Sequence, residues 1–219
     1  MKRVKEYKKM DVTRWMKVVA ILITYHLSLI TSFAQTVALK TEGQDPQYVE
    51  TIKGRAQKIV DGLQLTDAQK AENVRNIIAN RYFLLNDIHG KYDKKTQQDA
   101  LYAELFKHHF ELQSALALYL NEEQIDAVKD GMTYGRLKRD YQAQLDMIPT
   151  LKEEEKVQIL VWLREAREYA MDAADSKGKH FWFDKYRGRT NNWLSSRGYD
   201  LKKEREAWQK RTKEVINDK

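Results

Sequence analysis

The sequence predicts an all-α fold, a single multi-helix bundle of helical hairpins following a cleaved signal peptide. Three observations predict it. Apolar residues recur at three- and four-residue spacing through most of the chain, which marks one buried helical face. Start signals of the form Leu-x-x-x-Gln/Glu occur at residues 65–69, 120–124 and 151–155. Only 2 prolines interrupt the 219 residues, and strand-like alternation is scarce.

Residues 1–34 read as an export signal. Lys2, Arg3, Lys5, Lys8, Lys9, Arg14 and Lys17 form a basic n-region, residues 18–30 an apolar core, and Ser32 and Ala34 a small-x-small site for cleavage before Gln35. The alternative is an uncleaved anchor. Residues 18–34 are uncharged but only 17 long, at the lower limit for a membrane span, and only in that form does the chain meet a membrane. The expected location is periplasmic or secreted. With 0 cysteines, lipoprotein processing, disulfides, thiol catalysis and cysteine-ligated zinc are excluded.

The N-terminal segment carries most of the net charge. The chain carries +7 overall, but residues 1–34 hold seven Lys/Arg against Glu6 and Asp11, so about +2 remains after cleavage. A pI near 9.3 suggests nucleic-acid binding. Most of that basicity belongs to the signal, and no nucleic-acid partner is expected. Residues 35–174 carry 19 basic and 23 acidic groups, whereas residues 175–219 carry 13 and 7. The positive charge is therefore concentrated at the C-terminal end.

Residues 35–219 then read as one helical domain. Residues 35–45 are polar and read as a disordered lead-in. Asp45 caps a helix whose first residue is Pro46, with Val49, Ile52, Ala56, Ile59, Val60 and Leu63 on its inner face. Thr66 is expected to cap the next helix, with Gln69 reaching back and Gly90 weakening its end. A long third helix is expected through Ala100, Leu101, Leu105, His109, Leu112, Leu116 and Tyr119. Asn121 and Gln124 open a short helix that residues 130–135 stop. Residues 136–147 fit a helix or an extended segment equally. The 151–155 signal opens a longer helix, followed by an aromatic, basic stretch at 180–194. A last helix spans about 201–216, with Trp208 inward.

Familiar catalytic signatures are absent: no phosphate-binding Gly-rich loop ending in Lys-Ser/Thr, no His-Glu-x-x-His, no Gly-x-Ser-x-Gly and no Glu-x-x-His. His108 and His109 are adjacent, so on a helix they diverge and read as one surface and one inner-face histidine. No metal site and no cofactor are expected. The polar C-terminal third is richer. Glu165, Glu168 and Asp172 share a helical face by spacing. Lys185, Tyr186, Arg187, Arg189, Asn191 and Asn192 crowd one segment between Trp182 and Trp193. Guanidinium forks bind carboxylates in pairs of hydrogen bonds, while amides and aromatic faces suit sugar rings. Together they suit an acidic saccharide. The same residues also suit an ion-pair network in which Arg187 and Arg189 meet Glu165, Glu168 or Asp172.

Several motifs resemble domain-of-unknown-function family 3826: Asp130-Gly-Met-Thr-Tyr-Gly135, Leu163-Arg-Glu-Ala-Arg-Glu168 with Ala170-Met-Asp172, Lys185-Tyr-Arg-Gly-Arg189 with Asn191-Asn192, and Gly198-Tyr-Asp-Leu-Lys-Lys-Glu204. That resemblance implies an exported helical protein of Bacteroidetes-type bacteria, associated with polysaccharide use. The expected site is a cleft lined by Tyr134, Glu165, Asp172, Lys185, Arg187, Arg189, Asn191 and Asn192, with an acidic or plant-type oligosaccharide as partner. One alternative is a polysaccharide lyase, with Lys185 or Arg187 neutralising a uronate and Tyr134 or His180 as base. Another is a hydrolase using Glu165 and Asp172. A third is a periplasmic chaperone or scaffold, since residues 65–69 are similar to helix starts of small periplasmic stress chaperones.

Overall fold

The computed structural model describes residues 36–217, with side chains to residue 213; the expected signal segment and cleavage site lie outside the described residues. Nine helices and no strand occur among the described residues: α1 Pro46–Asp61, α2 Ala68–Lys91, α3 Gln98–His108, α4 Glu111–Leu116, α5 Glu122–Met132, α6 Arg136–Met147, α7 Glu153–Met171, α8 Ser176–Ser196 and α9 Leu201–Asn217. The chain is all-α, as its periodicity predicts.

Local chemistry sets the helix starts. Asp45 Oδ1 accepts the Tyr48 amide at 2.8 Å ahead of Pro46. The reciprocal box of Asn121 and Gln124 is present at 2.9 and 3.2 Å. At the second start the cap is Asp67, which accepts the Lys70 amide at 3.0 Å, and not Thr66 as expected. An ionised carboxylate is the stronger acceptor for a free helix amide, so the helix begins one residue later.

Two larger corrections bear on function. The expected third helix is broken at His109 and Phe110 into α3 and α4. At the break Arg81 Nη1 of α2 donates to the His108 carbonyl at 2.8 Å, which satisfies an acceptor the interruption frees. The lead-in, expected to be disordered, is clasped by a row of asparagines on α2. Asn73 Oδ1 accepts the Val37 amide at 2.9 Å, and Asn76 Nδ2 donates to the Val37 carbonyl at 2.8 Å. Asn80 holds both the Ala38 carbonyl, at 2.9 Å, and the Lys40 amide, at 2.8 Å. Val37 and Leu39 then pack on the core beneath. Polarity alone hides this, because the partners lie more than thirty residues downstream.

Two large apolar clusters form most of the core, and a smaller third, of Leu85, Ile88, Leu101 and Leu105, joins α2 to α3. The first joins α1, α2, α4 and α5, with Ile52, Val74, Ile78, Leu116 and Val128 fully buried; Met171 at the end of α7 also enters it. The second joins α6, α7 and α8 around Ile148, Ile159, Phe183 and Leu194, with Trp208 of α9 half-buried against it. Residues 136–147, which suited either conformation, are helical because Leu137 and Met147 fall on this core face. The most extensive helix pair is α7 with α8, and the site described next is built there.

Candidate functional site

Because the aromatic, basic stretch lies within one long helix, its residues point in several directions. On α8, Phe183, Tyr186, Thr190 and Leu194 are buried. Lys185, Arg189 and Asn192 lie at four- and three-residue spacing on a second face, and Asp184, Arg187 and Asn191 on a third. The eight cleft residues expected from sequence are therefore split, since a segment longer than two helical turns cannot serve as one wall.

Glu165, Lys185, Arg189 and Asn192 come together where α7 and α8 run antiparallel. Tyr169 of α7 stacks on Trp182 of α8 with ring centres 4.6 Å apart and planes 19° from parallel. Lys185 lies over the Trp182 ring at 4.8 Å. Arg189 sits over Trp162 at 4.7 Å and near Tyr186 at 5.8 Å, and its Nη1 reaches Glu165 Oε2 at 3.5 Å. Trp162 meets Trp193 edge to face at 5.1 Å, and Arg197 covers Trp193 at 5.0 Å. The result is a continuous ladder of rings and cations. From Trp182 to Trp193 it extends roughly 17 Å at the rise of an α-helix. The Tyr169 side chain and the charged ends of Arg189 and Glu165 are exposed. Burial first, and then the Glu165 carboxylate, hold the Tyr186 phenol above its usual range. Trp162 and Tyr169 were not singled out from sequence; the available signal was their seven-residue spacing on α7.

Asp172 belongs elsewhere. Its Oδ1 pairs with Arg81 Nη2, and its Oδ2 accepts from His109 Nδ1 at 2.6 Å. A carboxylate can only accept here, so His109 carries its proton on Nδ1. His89 Nε2 donates to the Asp172 carbonyl at 2.8 Å. The hydrogen bond to Asp172 raises the His109 pKa above its ordinary value, against the effect of burial. Glu168 meets Lys129 at 3.0 Å, and Lys129 also donates to Gln113 at 2.8 Å. Arg167 bridges Asp130 at 2.8 Å and Asp126 at 2.7 Å. Lys179, buried under the end of α7, donates to the Ala170 carbonyl at 3.2 Å, and burial lowers its pKa to about 8. These contacts tie α2, the α3–α4 break, α5, α7 and α8 together. In them Asp172 acts as a packing residue rather than as a cleft wall.

The third face of α8 turns toward α6. Arg187 pairs with Asp184 at 3.3 Å, and Arg136 holds Asp140 at 2.7 Å and Asp184 at 3.0 Å. Asn191 shares this side by spacing, and its Oδ1 is buried without a hydrogen-bond partner. Tyr134, in the turn after α5, lies beside His180 with ring centres 5.5 Å apart. Arg136 Nη1 is 3.0 Å from His180 Nδ1. A guanidinium can only donate, so that nitrogen is the acceptor and is occupied. This weighs against His180 Nδ1 as the base of a lyase. Among the described residues no group of three or more His, Asp or Glu side chains is arranged to hold a metal ion. No described helix is long and apolar enough to cross a membrane.

The profile of a family described as Protein of unknown function (DUF3826) matches residues 49–100 and 93–214. The chain belongs to that family. No curated protein matches the sequence. The DUF3826 match runs from α1 into α9 and so includes the whole aromatic–cation ladder, the His109–Asp172 network and the Tyr134 turn. The family description carries no activity, so function rests on what these side chains can do.

Proposed function

We propose that this chain is an exported accessory protein that binds an acidic oligosaccharide along the aromatic–cation face of α7 and α8. The observation that carries the reading is Arg189 held over two aromatic rings, with Lys185 likewise over Trp182. A ring face suits the apolar C–H face of a sugar, and a guanidinium already oriented by rings loses little freedom on taking a carboxylate. Glu165 lies 3.5 Å from Arg189, long for a charge-assisted bond, so a ligand carboxylate can displace it. Asn192, exposed on the same face, offers an amide to hydroxyl groups. Export is supported by the basic and apolar N-terminal pattern. It requires a secreted chain that begins at Gln35, whereas a secreted chain beginning at Met1 contradicts it.

Calorimetry of the exported chain with a uronic-acid oligosaccharide, and with a neutral one of equal length, tests the binding. Saturable binding of the acidic ligand is expected, with at least tenfold loss (about 1.4 kcal/mol) in Arg189→Ala and in Trp182→Ala. Failure to bind any uronic-acid oligosaccharide removes the reading.

A further inference from the structure

The turn at residues 130–135 has no part in the α7–α8 face, yet it closes a groove of its own. A cavity of about 410 Å³ lies between α1 and α5, lined by Arg55, Lys58, Ile59, Gly131 and Tyr134 among others. Three features set it apart. The first is charge. Its lining holds two cations and no carboxylate, and neither Arg55 nor Lys58 makes an ion pair among the described residues. The acids nearest on α5 are already engaged: Arg167 takes Asp126 and Asp130, and Lys138 approaches Asp130 at 3.7 Å. Arg55 rests over the ring of Tyr82 at 5.5 Å, which fixes its direction, and the buried Lys179 lies 5.9 Å from the same ring.

The second feature is space made by a missing side chain. A Cβ on Gly131 would stand 3.0 Å from Ile59 Cγ1 and 3.1 Å from Ile59 Cγ2. Only glycine lets α5 approach α1 this closely while Ile59 stays on the groove floor. The third is backbone strain. Tyr134 takes φ 60, a left-handed conformation costly for a residue with a side chain. Gly135 follows at φ 62, with its amide on the Asp130 carbonyl at 2.8 Å. This strained turn places the Tyr134 ring, 45% exposed, on the groove wall, and its hydroxyl makes no hydrogen bond among the described residues.

We propose that this groove is an oxyanion site: it takes a carboxylate or phosphate carried on a small polar molecule. Arg55 and Lys58 supply the positive charge and Tyr134 a hydroxyl donor. Ile59, Leu63 and Ala127 form an apolar floor for the remainder of the ligand. The site is independent of the α7–α8 face, and either can fail without the other.

The test is a calorimetric and amide-shift titration of the full chain with two separate probes, galacturonate and inorganic phosphate. At least one is expected to bind saturably and to shift amides of residues 55–63 and 131–135; which one binds identifies the source of the oxyanion. The double variant Arg55→Gln/Lys58→Gln, on exposed positions, is expected to weaken that binding about tenfold or more through loss of two charge-assisted contacts. Gly131→Ala, which forces Ile59 into the groove, should weaken it as well with the helical circular dichroism unchanged. Arg189→Ala should leave it unaltered. Absence of binding by both probes overturns the proposal, as does a double variant that binds as tightly as the parent.

Discussion

Replacing Asp172 by Asn removes one negative charge from a point where three donors converge. The side chain takes Arg81 on one oxygen and His109 on the other, while its carbonyl takes His89. Arg81 is only 3% exposed and Asp172 14%. After the substitution Arg81 keeps its bond to the His108 carbonyl but no longer faces a charge. Removing one partner of a buried ion pair costs roughly 3–5 kcal/mol, and the partial exposure of Asp172 points to about 3. Against a typical total of about 5–15 kcal/mol this is a large fraction. Urea denaturation at neutral pH reads it as a lower midpoint at unchanged slope. The double variant Arg81→Met/Asp172→Leu, which removes both charges, should recover most of the loss. A loss below about 1 kcal/mol in Asp172→Asn, the size of an exposed ion pair, would refute the packing role.

Three further outcomes follow. His109 has a folded pKa raised above 6.5, so its contribution to stability is fully present below that value and is lost as pH rises through the elevated pKa. Stability should therefore fall across that window in the parent and not in Asp172→Asn, read by urea titration at stepped pH. Glu155 behaves oppositely. Burial alone would raise its pKa, but the Tyr199 hydroxyl, the Lys152 amide and Arg197 outweigh it and hold the pKa at about 2, so its contribution is lost as pH falls from 4.5 toward that value. Glu155→Gln should flatten that acid limb. Asn80→Ala removes two hydrogen bonds to the lead-in, and hydrogen exchange at the Lys40 amide should accelerate by an amount corresponding to about 1–3 kcal/mol.

Much of the fold was legible because helix chemistry is local. Asp45-Pro46, Asn121 with Gln124, the 151–155 start and the apolar spacing of α1 each report on their own few residues. What escaped depended on partners distant in sequence. The lead-in is ordered by Asn73, Asn76 and Asn80, and the α3–α4 break is secured by Arg81 and Asp172. The site was legible in part for the same reason. The guanidinium, amide and phenol groups of the 185–192 segment are visible in the sequence itself. Reading the segment without its helical phase merged two faces of α8 into one cleft. Applying a turn of 3.6 residues would have grouped Lys185, Arg189 and Asn192, and set Arg187 and Asn191 apart.

The α7–α8 face is tested most directly by the tryptophan indole N–H signals during titration with a uronic-acid oligosaccharide. Trp162, Trp182 and Trp193 lie in the ladder, whereas Trp208 packs on α9 against the second core and serves as an internal control. Binding on this face predicts that the Trp182 signal, and with it Trp162 or Trp193, moves and saturates while Trp208 stays fixed. Saturable binding that leaves all three ladder indoles unmoved would contradict it.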